Sequence, residues 1–300
     1  MLSLNFNNIS IDNFTISTEN GNETGISLLR LDKLHPEVSG NKWFKLRFYV
    51  EDAIAKNKST IVTFGGAWSN HIVATAAACK LNGLQSIGLI RGEKPARLSD
   101  TLKVASEYGM KLIFLSRSDY KLKIIPDELS FQSDKLYIIN EGGYGEKGAM
   151  GASTIANFYQ QDRFTHIVCA VGTGTMLAGL VKSALPSQQI TGISVLKNNT
   201  DLITASDALL TENEKEKPHE IIHDYHFGGY AKFNPVLIGF MNNFYRQTSI
   251  ATDFVYTGKL LFGVHDLVKK NYFREGSRIV VIHSGGLQGN NSLARDTLIF

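Results

Sequence analysis

The sequence is poor in several residue types that would point to particular classes of protein. It contains two cysteines, Cys79 and Cys169, both in apolar segments and without a Cys-x-x-Cys pair. It therefore predicts no metal site and no redox motif, but buried thiols in a reducing compartment. The formal net charge is only +3 over 300 residues, and its dispersal along the chain argues against a nucleic-acid partner.

Long apolar runs are also lacking. No stretch approaches the roughly 18 apolar residues that cross a membrane, and the first residues do not show the basic region and apolar run of a signal peptide. We therefore expect no membrane partner and a cytoplasmic location. With 43% hydrophobic and 20% charged residues, the composition is that of a globular chain that buries a large core.

The chain does contain short apolar runs that alternate with helical patterns. The predicted strands are 60–64, 86–90, 111–115 and 136–139 in a first series, and 166–171, 191–196, 221–226, 253–256 and 278–282 in a second. The predicted helices are 69–81, 99–108, 176–185, 235–247 and 259–273, and the charged stretch 211–220 is interpreted as a solvated face or loop. Strand–helix–strand units build parallel sheets. Two such series predict an α/β fold of two doubly wound, mostly parallel domains with a cleft between them.

Lys42 is the first candidate for chemistry. It follows Ser39, Gly40 and Asn41, and a lysine behind a small, flexible turn can serve as a Schiff-base amine when its surroundings lower its pKa. Lys45 is the local competitor, and most lysines are surface residues. The position of Lys42 alone therefore does not decide its role.

Two glycine-containing turns are candidates for binding anions. The segment Gly-Gly-Ala-Trp-Ser-Asn-His at 65–71 follows a strand and opens a helix with Ser69 as N-cap, and free N–H groups at such a helix start favour a carboxylate. Gly172-Thr173-Gly174-Thr175 offers N–H groups and hydroxyls that suit a phosphate. It is neither a dinucleotide fingerprint nor a P-loop, and a plain tight turn is the alternative at both places.

Taken in order, these motifs and His-Ser-Gly-Gly at 283–286 resemble those of the fold type II, tryptophan-synthase-like pyridoxal-phosphate enzymes. Within them, the chain is similar to the 1-aminocyclopropane-1-carboxylate deaminase and D-cysteine desulfhydrase family. The resemblance runs from residue 39 to residue 286. It implies pyridoxal 5'-phosphate as cofactor, a small amino acid as substrate and a homodimer. It also implies a small domain at 51–152 and a large, cofactor-binding domain at 1–50 and 153–300.

The resemblance implies roles for single residues. Lys42 would carry the cofactor, Ser69 would lie near the reacting carbon of the substrate, and Asn70 would bond the phenolic oxygen of the cofactor. Tyr230 and Tyr256 would place two phenols near the substrate as acid–base or orienting groups. Further substrate contacts would come from Trp68 and His71, and cofactor phosphate contacts from Gly172, Thr173, Gly174 and Thr175.

Thr257 is the residue that most sharply separates branches of this family. A glutamate after the second tyrosine accompanies opening of the cyclopropane ring, whereas threonine accompanies elimination of sulfide. Near the pyridine nitrogen a carboxylate strengthens the electron sink, and a hydroxyl leaves that nitrogen largely neutral. With Ser284 as the other hydroxyl beside the nitrogen, the resemblance implies β-elimination from an amino acid such as D-cysteine, giving keto acid, ammonia and sulfide.

Two departures from the family pattern leave alternatives open. Trp68 stands where the family usually has glutamine, and Met176 stands where it has threonine and removes one hydroxyl. The alternatives are a 1-aminocyclopropane-1-carboxylate deaminase, a β-replacement synthase, racemase or dehydratase, a metabolite-binding α/β module without turnover, and a cofactor-binding protein that has lost catalysis.

Overall fold

The computed structural model describes residues 4–35, 37–38 and 40–300, so Ser39 of the predicted Ser-Gly-Asn-Lys motif lies outside the described residues. The strands are β1 Ile11–Ser17, β2 Glu23–Arg30, β3 Thr60–Gly65, β4 Gln85–Arg91, β5 Lys111–Leu115, β6 Leu136–Ile139, β7 His166–Val171, β8 Gln189–Ser194, β9 His219–Ile222 and β10 Ile279–His283. The α-helices are α1 Asn41–Ala55, α2 Asn70–Leu81, α3 Asp100–Glu107, α4 Arg117–Lys121, α5 Glu146–Ser153, α6 Thr175–Ser183, α7 Leu202–Asp207, α8 Glu212–Lys215, α9 Pro235–Thr248 and α10 Thr257–Lys269. Short 3-10 helices span Phe6–Asn8, Leu31–Leu34, Asp127–Lys135, Glu141–Gly143, Thr154–Phe158, Gln161–Arg163 and Leu287–Ser292.

One sheet has six strands in the order β1-β2-β10-β7-β8-β9. Only the β1–β2 hairpin is antiparallel, and the other neighbours run parallel. In β7, Ile167 and Cys169 pack with helices α5 and α6 on one face, while Val168 and Ala170 pack with α9 and α10 on the other. Side chains alternate between the faces of a strand, so a wholly apolar run here buries both faces of the sheet.

The second sheet has four parallel strands in the order β5-β4-β3-β6. Ile61 of β3 packs with Leu46 and Val50 of α1 and with Ala74 of α2, whereas Val62 faces the opposite cluster. The structure is therefore α/β with helices on both faces of its sheets, as predicted. Because α1 runs from residue 41 to residue 55, the predicted domain boundary after residue 50 falls inside a helix. The domain division stays a prediction.

The sequence interpretation was wrong at residues 253–256, which form a turn and not a strand. The carboxylate of Asp253 accepts hydrogen bonds from the backbone N–H groups of Val255, Tyr256 and Thr257. These bonds fold the segment into the start of α10, as an aspartate does ahead of a helix. Two predicted strands begin and end earlier in the structure than expected: the strand predicted at 191–196 is β8, and the strand predicted at 221–226 is β9. The solvated stretch 211–220 contains the short helix α8.

The parallel strands bring several loops to the same edge of each sheet. The segments after β3, β4, β7 and β10 all begin at carboxyl ends of strands, which is where α/β folds bind their ligands. Across the described ranges no helix combines the length and apolar character needed to cross a bilayer.

Candidate active site

A cavity of about 920 Å³ lies where these loops meet. It brings together most of the residues that the sequence singled out, although they are far apart along the chain. The predicted site residues on its wall are Lys42, Trp68, Ser69, Asn70, His71, Gly172, Thr173, Gly174, Tyr230 and Tyr256. The described residues of the wall do not include Thr175, Thr257 or Ser284, three of the predicted cofactor contacts.

Lys42 lies in the first turn of α1. The helix follows Gly40, which has φ +60°, and the N–H of Asn41 donates to the carbonyl oxygen of Ser284 at 3.2 Å. This bond fixes the start of α1 against the turn after β10. The Nζ of Lys42 donates to the Oδ1 of Asn41 at 2.9 Å and lies 5.5 Å from the ring centroid of Tyr256. Burial lowers the pKa of Lys42 to about 8, against the opposing charge of Asp253, so about a tenth of the amine is neutral at pH 7, far more than in an ordinary lysine.

Lys45 is a second amine on the same wall. It is buried, and burial together with the charge of Lys42 lowers its pKa well below the ordinary lysine value. The sequence identified Lys45 as the local competitor of Lys42. The structure places it inside the cavity, one helical turn from Lys42.

The loop after β3 leads into α2 with its polar groups turned to the cavity. Ser69 occupies the N-cap position as predicted, but in the described structure its hydroxyl makes no capping bond and is available to a ligand. Asn70 donates from Nδ2 to the carbonyl oxygen of Gly286 at 3.2 Å. Its buried Oδ1 has no hydrogen-bond partner in the part of the chain that is described, and a buried polar atom of this kind calls for one.

His71 is held by the four-stranded sheet. The hydroxyl of Thr63 donates to the carbonyl oxygen of Ile139, so it accepts from Nε2 of His71 at 2.8 Å. Burial, and then the charges of Lys45 and Lys42, lower the pKa of His71 well below its ordinary value. The ring is therefore neutral, and its buried Nδ1 is an acceptor without a partner among the described residues. Trp68, in contrast, is 37% exposed at the mouth of the cavity.

The glycine turn at residues 172–174 joins β7 to α6. A Cβ on Gly172 would lie 3.2 Å from Cε1 of Tyr256, and Gly174 has φ +79°. Both positions therefore favour glycine, and the turn leaves room for a ligand at the N-terminus of a buried helix. The hydroxyls of Thr173 and Thr175 are 2.9 Å apart. Thr175 is fully buried behind Thr173, so its direct contact with a phosphate stays a prediction.

Tyr230 and Tyr256 lie together on the wall of the cavity, with Tyr256 next to the glycine turn. Their rings meet edge to face, with centroids 6.1 Å apart. Burial raises the pKa of both phenols, and that of Tyr256 lies well above its ordinary value. Both hydroxyls therefore keep their protons at neutral pH and can donate them.

Thr257 and Ser284 lie behind the wall. The hydroxyl of Thr257 donates to Oδ1 of Asp253 and accepts from the N–H of Asp253, both at 2.7 Å. Its hydrogen-bonding capacity is thus directed at the start of α10. Ser284 is buried and meets Asn41 through its carbonyl oxygen. Contact of either hydroxyl with the pyridine nitrogen stays a prediction.

Sequence reasoning missed several buried ionisable residues beside the cavity. Asp253 is fully buried, and burial raises its pKa against the hydrogen bonds from Thr257. Lys259 donates to the carbonyl oxygens of His226 and Gly229 at 2.8 and 2.7 Å, which ties the turn before Tyr230 to α10. Asp253 and Lys259 lie in the same short sequence segment as Tyr256, and this proximity is the sequence signal that could have identified them as residues near the site.

A second cluster of buried ionisable residues lies next to the turn after β10. Asp32 forms a bidentate ion pair with Arg30 at 2.9 and 2.6 Å, and it lies 3.2 Å from Nδ1 of His283. Nε2 of His283 lies 2.9 Å from the carbonyl oxygen of Ala251. No sequence spacing signals this group, because β2 and β10 become neighbours only in the folded sheet.

These groups fit pyridoxal phosphate. A buried amine with a lowered pKa is available at Lys42, a glycine turn with the Thr173 hydroxyl is available for a phosphate, and the unpartnered Oδ1 of Asn70 faces the same space. The amine suits a carbonyl group and the helix start suits an anion.

Comparison with known proteins gives the same result. The chain is 30% identical over 272 residues to a putative 1-aminocyclopropane-1-carboxylate deaminase of Pyrococcus abyssi, covering 84% of this chain and 81% of the relative. It is 27% identical to a bifunctional D-cysteine desulfhydrase and 1-aminocyclopropane-1-carboxylate deaminase of Arabidopsis thaliana, covering 89% and 74%. It superposes on the crystal structure of an ACC deaminase homologue with a TM-score of 0.79 and 26% identity, covering 93% of this chain and 90% of that one.

The family model described as pyridoxal-phosphate dependent enzyme matches residues 14–285, nearly the whole chain. The predicted cofactor and fold type are thus confirmed. The chain belongs to the family of pyridoxal-phosphate-dependent enzymes, in the group of the 1-aminocyclopropane-1-carboxylate deaminases and D-cysteine desulfhydrases.

Proposed function

We propose that this protein is a lyase that eliminates the β-substituent of a small amino acid such as D-cysteine. With one water, D-cysteine yields pyruvate, ammonia and hydrogen sulfide. The observation that carries the proposal is the amine of Lys42, with a pKa of about 8, facing the paired phenols of Tyr230 and Tyr256 in one cavity. The bifunctional plant relative supports the choice of D-cysteine.

Cofactor and substrate have separate places in this cavity. Gly172, Thr173 and Gly174 would hold the phosphate, and Lys42 would hold the reactive carbonyl carbon. The N-terminus of α2 accepts the substrate carboxylate, because the N–H groups of Asn70 and His71 have no partner among the described residues and the helix dipole favours an anion. The free hydroxyl of Ser69 stands at that same helix start.

The proton transfers are assigned from the pKa values. When bound, pyridoxal phosphate supplies a carbonyl for the amine and a ring that accepts an electron pair. The neutral amine of Lys42 takes the proton from the α-carbon, as a base whose pKa lies near neutral pH does effectively. Tyr256, which keeps its proton, donates to the departing sulfur. Trp68 and Phe233, both partly exposed, line the same cavity.

Lys42→Ala tests this assignment. We expect pyruvate release from D-cysteine to fall by at least about 100-fold, with loss of the visible absorption band of the lysine-bound cofactor. Lys56→Ala is the matched control, because Lys56 is exposed at the end of the same helix, where it pairs with Asp52 and lies over the ring of Tyr137, outside the cavity. Wild-type turnover by the Lys42 variant would contradict the proposal.

1-Aminocyclopropane-1-carboxylate is the second substrate to assay, because both curated relatives carry that activity in their names. Its ring opening and hydrolysis give 2-oxobutanoate and ammonia. Thr257, in place of the glutamate expected for ring opening, favours D-cysteine over this compound. Faster release of 2-oxobutanoate than of pyruvate would reverse that order.

The site residues, the domain division, the cytoplasmic location and the homodimer belong to the same proposal. The two cysteines are free and buried, which fits a reducing compartment. Light scattering on the purified protein measures the oligomeric state, and a mass of one chain would overturn the homodimer.

A further inference from the structure

Two arginines at the mouth of the cavity have no part in the scheme above. Arg91 ends β4, and Arg117 begins α4 shortly after β5. Because β4 and β5 are parallel neighbours, both residues lie at the carboxyl edge of the four-stranded sheet. Both line the main cavity, and both also line an adjoining cavity of about 650 Å³. Two guanidinium groups therefore border one space.

These arginines differ from the other charged residues around them. Lys123 pairs with Glu141 at 2.7 Å and stacks over the ring of Tyr120 at 4.1 Å. Across residues 4–35, 37–38 and 40–300, neither Arg91 nor Arg117 forms an ion pair with a carboxylate, although Glu141, the partner of Lys123, lines the same two cavities. The guanidinium of Arg91 lies 5.9 Å from the ring centroid of Tyr120. Arginine binds oxyanions through its fork of N–H donors, and here neither fork is occupied by a carboxylate.

The positive charge of Arg91 lies next to the part of the cavity where the reaction is proposed to occur. Its Nη2 lies 3.9 Å from the point where a Cβ on Gly66 would stand, at the start of the loop that leads to Ser69. Arg91 and the phenol of Tyr230 line the same cavity. The cavity volume of about 920 Å³ is near the upper end for ligand pockets, about 300–1,000 Å³. A substituent on the β-carbon has room to extend toward the arginines.

We infer that the preferred substrate carries an oxyanion on its side chain, bound by Arg91 and Arg117 as specificity-determining residues. The inference rests on the proposed β-elimination in the same cavity. In O-phosphoserine, the α-carbon loses a proton, the bond between Cβ and oxygen breaks, and phosphate leaves with the electron pair. Water then converts the three-carbon remainder to pyruvate and ammonia. The arginines stabilise the charge that grows on the departing oxyanion.

Steady-state kinetics of the holoenzyme test the inference. Pyruvate release is measured from O-phospho-D-serine, from O-acetyl-D-serine as the uncharged counterpart, and from D-cysteine. We expect Arg91→Gln and Arg117→Gln each to lower kcat/KM for O-phospho-D-serine by about 10- to 100-fold, the effect of one lost charge-assisted hydrogen bond. The other two substrates should change by less than about threefold. Arg274→Gln, at an exposed site away from the cavity, is the control.

Calorimetry with inorganic phosphate gives a readout that needs no turnover. The holoenzyme is used, so that the cofactor already fills the glycine turn at residues 172–174. Phosphate binding that weakens in Arg91→Gln but not in Arg274→Gln supports the inference, even if no substrate is turned over and the proposed function fails. D-cysteine turnover without phosphate binding overturns the inference alone. Equal losses on all three substrates would assign the arginines to the α-carboxylate, and would overturn it as well.

Discussion

Replacing Gly40 by alanine tests whether the contact between α1 and the turn after β10 sets the position of Lys42. Gly40 has φ +60°, and a Cβ there would overlap the carbonyl group of Ser284 and lie 2.8 Å from the N–H nitrogen of Gly285. The obstacle is backbone on both sides, so a side-chain rotation cannot relieve it. The start of α1 would have to move by about 1 Å away from β10.

The magnitude follows from two effects. The backbone conformation costs an alanine about 1–3 kcal/mol, and overpacking adds about 1–3 kcal/mol. We therefore expect Gly40→Ala to lower the free energy of unfolding by about 2–6 kcal/mol. Because Lys42 moves with the helix start, the second expected effect is a loss of about 100-fold in kcat/KM, typical of a misplacement of about 1 Å.

The assay is urea unfolding followed by fluorescence, together with pyruvate release from D-cysteine. Gly21→Ala is the matched control, since Gly21 has φ +81° and nothing within 4 Å of its would-be Cβ. The control carries the backbone cost of about 1–2 kcal/mol without the overlap, and the catalytic rate should not change. Equal effects of the two substitutions on stability and on kcat/KM would refute the reasoning.

Two further predictions concern pH. Because the pKa of Lys42 is lowered to about 8, capture of pyridoxal phosphate by the cofactor-free protein should rise about tenfold per pH unit up to pH 8 and then level off; a rise continuing beyond about pH 9.5, measured by visible absorbance, would indicate an ordinary lysine. Asp32→Asn should cost about 3 kcal/mol at pH 7, because it leaves Arg30 and His283 buried without their carboxylate. Although burial opposes it, His283 and Arg30 hold the pKa of Asp32 below its ordinary value, so this stability is present above about pH 4 and is lost as the pH falls through the folded-state pKa. The difference between variant and wild type in urea unfolding should therefore shrink in acid, and a constant difference would contradict the assignment.

The strands with continuous apolar runs were predictable from the sequence. The bounds of β5, β6 and β7 agree with the prediction to the residue, because each is a short, mostly apolar run of strand length. β7, inside its sheet, buries nearly its whole run, whereas the edge strands β5 and β6 are partly exposed. The hairpin β1–β2 was missed, since β1 mixes polar and apolar residues. The segment at 253–256 was misread because its apolar residues resemble a strand, while the carboxylate of Asp253 folds it into a turn.

Part of the candidate site was likewise predictable from the sequence, and part of it was not. Lys42, Ser69 and Thr173 lie at or just before the starts of helices. Glycines and short polar residues in the neighbouring sequence indicate where these helices begin. The environment of each was not predictable. The lowered pKa of Lys42 comes from burial by several distant segments, and the seclusion of Thr257 comes from its bonds to Asp253.

The sequence by itself determined the α/β architecture, because strands and helices follow from local periodicity. It indicated the cofactor family through the resemblance of its motifs, in their order, to those of a known family. Only the tertiary structure decided which side chains share the cavity. The tertiary structure brings Gly40 into close contact with Ser284, Gly172 into close contact with Tyr256, and Arg91 close to Gly66. Such contacts depend on how strands far apart in the chain are ordered and packed, and no spacing within the sequence contains that order.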